Sequence, residues 1–268
     1  MRANDLRKQW DDAAEGWRDF VRTQKDYYRD VMNNPATFEL LGDIRRKKIL
    51  DLGCGEGYNC RIMAKKGAYV TGVDFSEKMI DFAIQKEKKE QLNIKYLVAE
   101  ASDLQKLKDD NFDVVVCFMS LQDIEDYEGA VKEASRVLRK DGRFVFAIPH
   151  PCFETRIVDG EVIGGWEYEK GNREEPIKEP KYYKVDRYFE SHRYRVPWRM
   201  ERLTLHFQTT SFHRTLTKYA GALLKAGFVI RNLKEPRPSK EAIKKYPALK
   251  GHLRIPQSIV IEAVRGEL

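Results

Sequence analysis

The chain has 268 residues, 42% of them hydrophobic and 34% charged, with a formal net charge of +7; that length accommodates one large α/β domain, or one domain carrying a sizeable insertion. No apolar run approaches the roughly 20 residues of a membrane helix, and the opening MRANDLRKQWDDAAEGW lacks an apolar h-region, which excludes a membrane partner and a secretory signal and predicts a cytoplasmic protein. Four cysteines (Cys54, Cys60, Cys117, Cys152) form no C-x-x-C pair and read as reduced thiols without a metal site.

Residues 3–31 carry Leu6, Trp10, Ala13, Ala14, Trp17 and Val21 near helical spacing, which predicts one or two amphipathic helices, broken by Asn34-Pro35 and followed by a short helix over 36–42. Residues 1–47 are thus a helical cap. From 48 onward apolar β-rich runs alternate with helical patterns: strands over 48–52, 69–73, 94–99, 112–118 and 143–149, helices over 58–66, 76–90 and 127–139. This alternation predicts a doubly wound, mostly parallel sheet. Residues 150–211 break the rhythm with aromatics and charges. Asp159-Gly160 between Arg156-Ile157 and Val162-Ile163 is a hairpin signal, and 202–209 alternates as a strand does, so this block reads as an antiparallel lid inserted after the fifth strand. The core resumes over 212–268, with a helix over 215–226 stopped by Gly227 and strands over 228–233 and 258–264, seven in all. Residues 211–268 hold 12 Lys/Arg against 4 Asp/Glu. That keeps nucleic acid open as a partner, but the lysines lack aromatic interleaving and read as a solvated surface.

Two segments carry chemistry. In Asp51-Leu52-Gly53-Cys54-Gly55-Glu56-Gly57-Tyr58 a buried strand runs into a glycine-rich turn and then a helix, where backbone approaches a ligand closely and free N–H groups face it. The third glycine comes one residue early for the nicotinamide fingerprint, and position 58 is tyrosine. Asp74, in Val73-Asp74-Phe75-Ser76, lies at the end of the second strand, where a carboxylate accepts ribose hydroxyl protons. Ser76 is the better N-cap for the next helix, which leaves Asp74 for a ligand.

Residues 48–149 resemble the class I, Rossmann-like S-adenosylmethionine-dependent methyltransferases of the ubiquinone/menaquinone and small-molecule group. The resemblance rests on five ordered matches: DLGCGEG, VDFSEKMIDFA, VAEASDL, FDVVVCFMSLQDIED and RVLRKDGRFVFAIPHP. It implies a seven-stranded sheet of order 3-2-1-4-5-7-6 and S-adenosylmethionine as cofactor, with S-adenosylhomocysteine as product. It further implies that Gly53, Gly55 and Gly57 surround the methionine half and that Asp51 orients the loop. Asp74 would hold the ribose, with Phe75 or Met79 packing on adenine, Glu100 and Ala101 at the adenine edge, and Met119 near the sulfur. Glu100 stands where the family often has Asp, and Gln122 where many relatives have Leu-His-His. The N-terminal helices would close over the cofactor.

Methyl transfer requires an aligned nucleophile and exclusion of water; a hydroxyl acceptor gains from a base, an amine much less. Candidate bases are His150 after the fifth strand, His213 before the next helix, and Asp123 and Asp126 after the fourth strand, with helix capping the alternative for both aspartates. For both histidines the alternative is a structural role. The lid aromatics Trp166, Tyr168, Tyr182, Tyr183, Tyr188, Phe189, Tyr194 and Trp198 either stack on substrate or form the lid's own core. The expected function is methyl transfer to O or N of a small-molecule acceptor. RNA or protein/peptide methylation and non-catalytic cofactor binding are the alternatives. The oligomeric state is left open.

Overall fold

The computed structural model describes residues 3–23, 26–168, 181–198 and 205–266. Helix α1 (Ala3–Arg22) buries Leu6, Ala13, Ala14, Phe20 and Val21, the stripe that 3.6-residue periodicity dictates. A π-turn over Arg29–Asn33 runs directly into α2 (Asn34–Leu41). Asn34-Pro35 therefore begins a helix and does not break one: Pro35 sits in the first turn, where its missing N–H leaves no bond unmade.

There follow β1 (Lys48–Leu52), α3 (Tyr58–Lys65), β2 (Tyr69–Asp74), α4 (Glu77–Glu90), β3 (Lys95–Val98), β4 (Phe112–Phe118), α5 (Tyr127–Val137) and β5 (Leu138–Pro149). Local chemistry sets these boundaries. Ser76 accepts the Met79 N–H at the start of α4, and Asp126 accepts the Gly129 N–H at the start of α5. Strand β5 starts earlier than its apolar alternation suggests, because Arg139, Lys140 and Asp141 are exposed and the register with β4 shifts between Phe112 and Val114. Three antiparallel hairpins come next, formed by β6 (Arg156–Val158) with β7 (Glu161–Ile163), β8 (Gly165–Glu167) with β9 (Tyr182–Lys184), and β10 (Arg193–Trp198) with β11 (Phe207–Phe212). At the first turn Asp159 and Gly160 both take positive φ, 51° and 83°, as a two-residue hairpin turn requires. The strand expected over 202–209 is displaced to β11, whose Ser211 and Phe212 pair with Tyr194 and Arg193; residues 202–204 lie outside the described residues. The chain closes with α6 (Leu216–Lys225), β12 (Phe228–Lys234), α7 (Lys240–Lys245) and β13 (Ser258–Arg265).

The main sheet has seven strands in the order β12-β13-β5-β4-β1-β2-β3, which is the expected 3-2-1-4-5-7-6. Strand β13 runs antiparallel to both of its neighbours, and the other pairs are parallel. One face buries Leu50, Val115, Phe144 and Phe146 under α5 and α6; the other buries Ile49, Val114 and Val116 under α2 and α3. Residues buried on both faces give the continuous apolar runs of a parallel sheet. Between β12 and β13 an insert holds α7 and a 3-10 turn over Pro247–Leu253. It docks on the N-terminal segment, where Tyr27 stacks on Tyr28 and on Tyr246, each at 4.8 Å. Among the described residues no helix is long and apolar enough to cross a membrane.

Candidate active site

At the carboxyl ends of β1, β4 and β5 lies a cavity of about 1210 Å³. Its floor is Gly53, Cys54 and Gly55 after β1, Met119, Gln122 and Asp123 after β4, and Pro149, Phe153 and Glu154 after β5. Strand order reverses between β1 and β4, and such a switch point opens a crevice where ligands bind in this architecture. Helix α1 contributes Trp10 and Trp17 to the walls, the hairpins contribute Trp166, Tyr183, Tyr194 and Trp198, and the insert contributes Gly251 and Arg254.

The turn after β1 is a cradle that side chains would obstruct. Gly53, Gly55 and Gly57 have φ of 67°, 54° and 79°, a region costly for any residue with a Cβ. A Cβ on Gly53 would fall 2.5 Å from the Ser120 Oγ, and one on Gly57 would meet the Tyr96 hydroxyl. Backbone and carboxylate brace the turn. Gly53 and Cys54 N–H donate to the Val73 carbonyl at 2.8 and 3.0 Å, and Gly55 N–H donates to Asp74 Oδ2 at 2.8 Å. The other oxygen of Asp74 accepts the Ser76 N–H at 2.9 Å, so Asp74 ties the ends of β1 and β2 together. Burial pushes its pKa up to about 6. Burial also pushes Asp51 up to about 7. The Cys60 thiol donates to Asp51 Oδ2 at 3.1 Å, while Oδ1 is buried without a partner among the described residues.

Of the residues singled out in the sequence, Asp51, Gly53, Gly55, Met119 and Asp123 line this cavity. Gly57 precedes α3 directly behind the turn. Asp74, Phe75, Met79, Glu100 and Ala101 do not line it: they lie along the β2 and β3 edge, which α1 covers. Arg7 of α1 pairs with Glu100 at 3.0 Å, the Ser76 hydroxyl donates to Asp11 at 2.6 Å, and Arg22 pairs with buried Glu56 at 2.7 Å.

The histidines are placed differently from expectation. His150 Nδ1 accepts the Cys152 N–H at 3.2 Å, which leaves the proton on Nε2, facing Glu235 Oε1 at 3.0 Å. His213 Nε2 must donate to the Tyr188 carbonyl at 2.8 Å, so its Nδ1 shares a single proton with Glu154 Oε2 at 2.7 Å. Both rings are buried and occupied at both nitrogens, and neither lines the cavity. These positions correct the expectation that either histidine reaches an acceptor.

Asp123 does face the cavity. It ends the 3-10 turn Leu121–Asp123; the Ser211 hydroxyl donates to its Oδ1 in a short bond, and Gln122 Nε2 donates to its Oδ2 at 3.1 Å. Its open side is toward the cavity and protein encloses the rest, which pushes its pKa up to about 7. Met119, four residues earlier, has φ of 52°, an uncommon backbone conformation of the sort that gathers at functional sites. The aromatics divide. Trp166, Tyr168, Tyr183, Tyr194 and Trp198 line the cavity, whereas Tyr182 and Phe189 are exposed and the Tyr188 hydroxyl accepts the Leu216 N–H. Sequence reasoning missed Arg29, Glu154 and the wall over 247–257, because none belongs to a periodic run or a spaced motif; they meet the cavity only through the fold.

Residues 50–146 match the methyltransferase domain family. A solved S-adenosylmethionine-dependent methyltransferase from Mesorhizobium loti is 28% identical, with a TM-score of 0.68 over 86% of this chain and 96% of that one. The chain carries a methyltransferase domain and is similar in sequence and fold to S-adenosylmethionine-dependent methyltransferases. Among curated relatives, it is 30% identical over 162 residues to the ubiquinone biosynthesis O-methyltransferase of Coxiella burnetii, covering 59% of this chain and 65% of that one. It is also 30% identical over 148 residues to the demethylmenaquinone methyltransferase of Tropheryma whipplei, covering 55% of this chain and 60% of that one. The chain thus spans less than two thirds of the length of these curated relatives. The cofactor of this methyltransferase class is S-adenosylmethionine, and the residues present fit it. Its methionine end is a zwitterion that needs close backbone approach and polar partners, and the positive-φ glycines and the unpartnered Asp51 Oδ1 supply both.

Proposed function

We propose that the protein methylates an oxygen or nitrogen of a small, planar acceptor held between Asp123 and the aromatic wall of the hairpins. The observation that carries this reading is Asp123 itself: a carboxylate poised near neutrality, facing a cavity that runs from the glycine turn to Trp166, Tyr183 and Trp198. In this reading Gly53, Gly55 and Gly57 surround the methionine half, Asp51 accepts from its ammonium, and Met119 lies near the sulfur. Asp74 holds the ribose, Phe75 or Met79 packs on adenine, and Glu100 and Ala101 meet its edge. S-adenosylmethionine supplies a methyl group already activated by the sulfonium charge. Asp123 receives the acceptor proton, with the Ser211 and Gln122 bonds fixing its orientation. Trp10, Trp17 and Trp198 exclude water from the transfer. Residues 1–47 form the cap, 48–149 with 212–268 the core, and 150–211 the lid, opposed across the cavity by the insert before β13. Four free cysteines suit a reducing, cytoplasmic setting.

Calorimetric titration with S-adenosylhomocysteine tests the reading, with NADH as control. Wild type should bind the former and ignore the latter. Asp74→Ala should weaken binding by roughly 100-fold, since it removes the ribose acceptor and frees the Gly55 N–H together. Binding of NADH with no response to S-adenosylhomocysteine would overturn it. A screen of phenols, amines and RNA then identifies the acceptor.

A further inference from the structure

The cavity wall holds a second charged side chain with unmet bonding capacity, opposite in sign to Asp51. Arg29 belongs to the π-turn over Arg29–Asn33, outside the span that matches the methyltransferase domain family. It is only 8% exposed, yet it lines the cavity. Its guanidinium lies over the Tyr58 ring at 3.9 Å, and Tyr58 is the first residue of α3, directly after Gly57. Nε donates to Asp30 at 2.8 Å and Nη2 to the Val21 carbonyl at 3.2 Å. Nη1 is buried with no hydrogen-bond partner among the described residues. A buried donor of a charged group left unpaired costs free energy that a ligand acceptor would recover, and a π-turn commonly marks a segment shaped for function.

We propose that Arg29 binds the α-carboxylate of the cofactor, so that Arg29 and Asp51 receive the two ends of its zwitterion from opposite sides of the glycine turn. This rests on the reading of the cavity as an S-adenosylmethionine site. The chemistry Arg29 selects is a carboxylate, which an acceptor could also carry. Its seat on Tyr58, the residue that follows the glycine turn, assigns it to the cofactor. Stacking on Tyr58 fixes the guanidinium plane, so lysine, a point charge without that plane, replaces it incompletely.

The experiment compares S-adenosylhomocysteine, which has the carboxylate, with 5′-methylthioadenosine, which lacks the whole amino-acid end, by calorimetry on wild type, Arg29→Met and Arg29→Lys. Methionine keeps an unbranched stem over Tyr58, and thermal melts establish that each variant is folded. The expected result is a loss of roughly 10- to 100-fold in affinity for S-adenosylhomocysteine in Arg29→Met, an intermediate loss in Arg29→Lys, and 5′-methylthioadenosine binding within about twofold of wild type throughout. Equal losses for both ligands would make Arg29 a structural residue and overturn the proposal, as would unchanged S-adenosylhomocysteine affinity, which would place the carboxylate on the acceptor. If Arg29→Met does not fold, the ratio of the two affinities in Arg29→Lys decides in the same way. Failure of wild type to bind either ligand would instead remove the cofactor reading itself.

Discussion

Asp123→Asn is expected to lower kcat on a hydroxyl acceptor by roughly 10²- to 10⁴-fold, the usual contribution of a positioned base, while affinity for S-adenosylhomocysteine stays within about twofold. The asparagine keeps the shape and still accepts from the Ser211 hydroxyl, so the loss reports the missing proton acceptor and not a collapsed wall. With wild type the rate should rise about tenfold per pH unit up to about 7, where Asp123 ionises, and be flat above it. The variant should lose that limb. An amine acceptor, which enters neutral and needs little help, should show a far smaller loss. Equal rates for wild type and variant on every hydroxyl acceptor would remove Asp123 from the chemistry. The same carboxyl affects stability in the opposite sense. Its pKa is raised above that of an unfolded aspartate, so the folded state holds the proton more tightly; that stabilisation is complete below about pH 4 and is lost as pH rises through about 7. Asp123→Asn should therefore melt a few degrees higher than wild type at pH 8 and close to it at pH 4, measured by calorimetric scans.

Arg143→Met should lower Tm by about 10 °C, the counterpart of roughly 3–5 kcal/mol in a chain of this size. Arg143 on β5 donates to the Leu40 and Leu41 carbonyls at 3.0 and 2.9 Å, capping the negative end of α2, and pairs with Glu262 of β13 at 2.8 Å. Glu262 is buried, so removing the arginine leaves a carboxylate in a dry interior with Asn232 as its remaining side-chain partner. Replacing both, as Arg143→Met with Glu262→Gln, should recover much of the loss, because the penalty lies in the stranded charge and not in the absent attraction. A double variant no more stable than the single one would assign the effect to the α2 carbonyls instead.

The doubly wound core was legible in the sequence because its strands are buried on both faces: Ile49–Leu52 and Val114–Cys117 read as strands without any tertiary information. The same holds for the glycine turn, whose three residues each need a positive φ. Legibility fell where partners distant in sequence decide the outcome. The alternation over 202–209 marks a strand, but its extent, Phe207–Phe212, is set by pairing with β10. His150 and His213 are aromatic, polar and near the right strand ends, and only Glu235, the Cys152 N–H, Glu154 and the Tyr188 carbonyl settle that their nitrogens are already taken. The wall over 247–257 has neither strand nor long helix. It reaches the cavity because Tyr246 stacks on Tyr27 and because Gly251 lies against Trp166, where a Cβ would come within 3.2 Å of the indole.

Helix α1 is fastened across the edge where Asp74, Glu100 and Ser76 lie, through Arg7, Asp11 and Arg22. If the nucleoside sits on that edge as proposed, α1 covers it, and exchange of fresh for spent donor requires these contacts to part. The N-terminus then acts as a turnstile. On that reading turnover should be paced by its opening once methyl transfer is fast, and S-adenosylhomocysteine, sharing the same exit, should be a strong product inhibitor in steady-state assays.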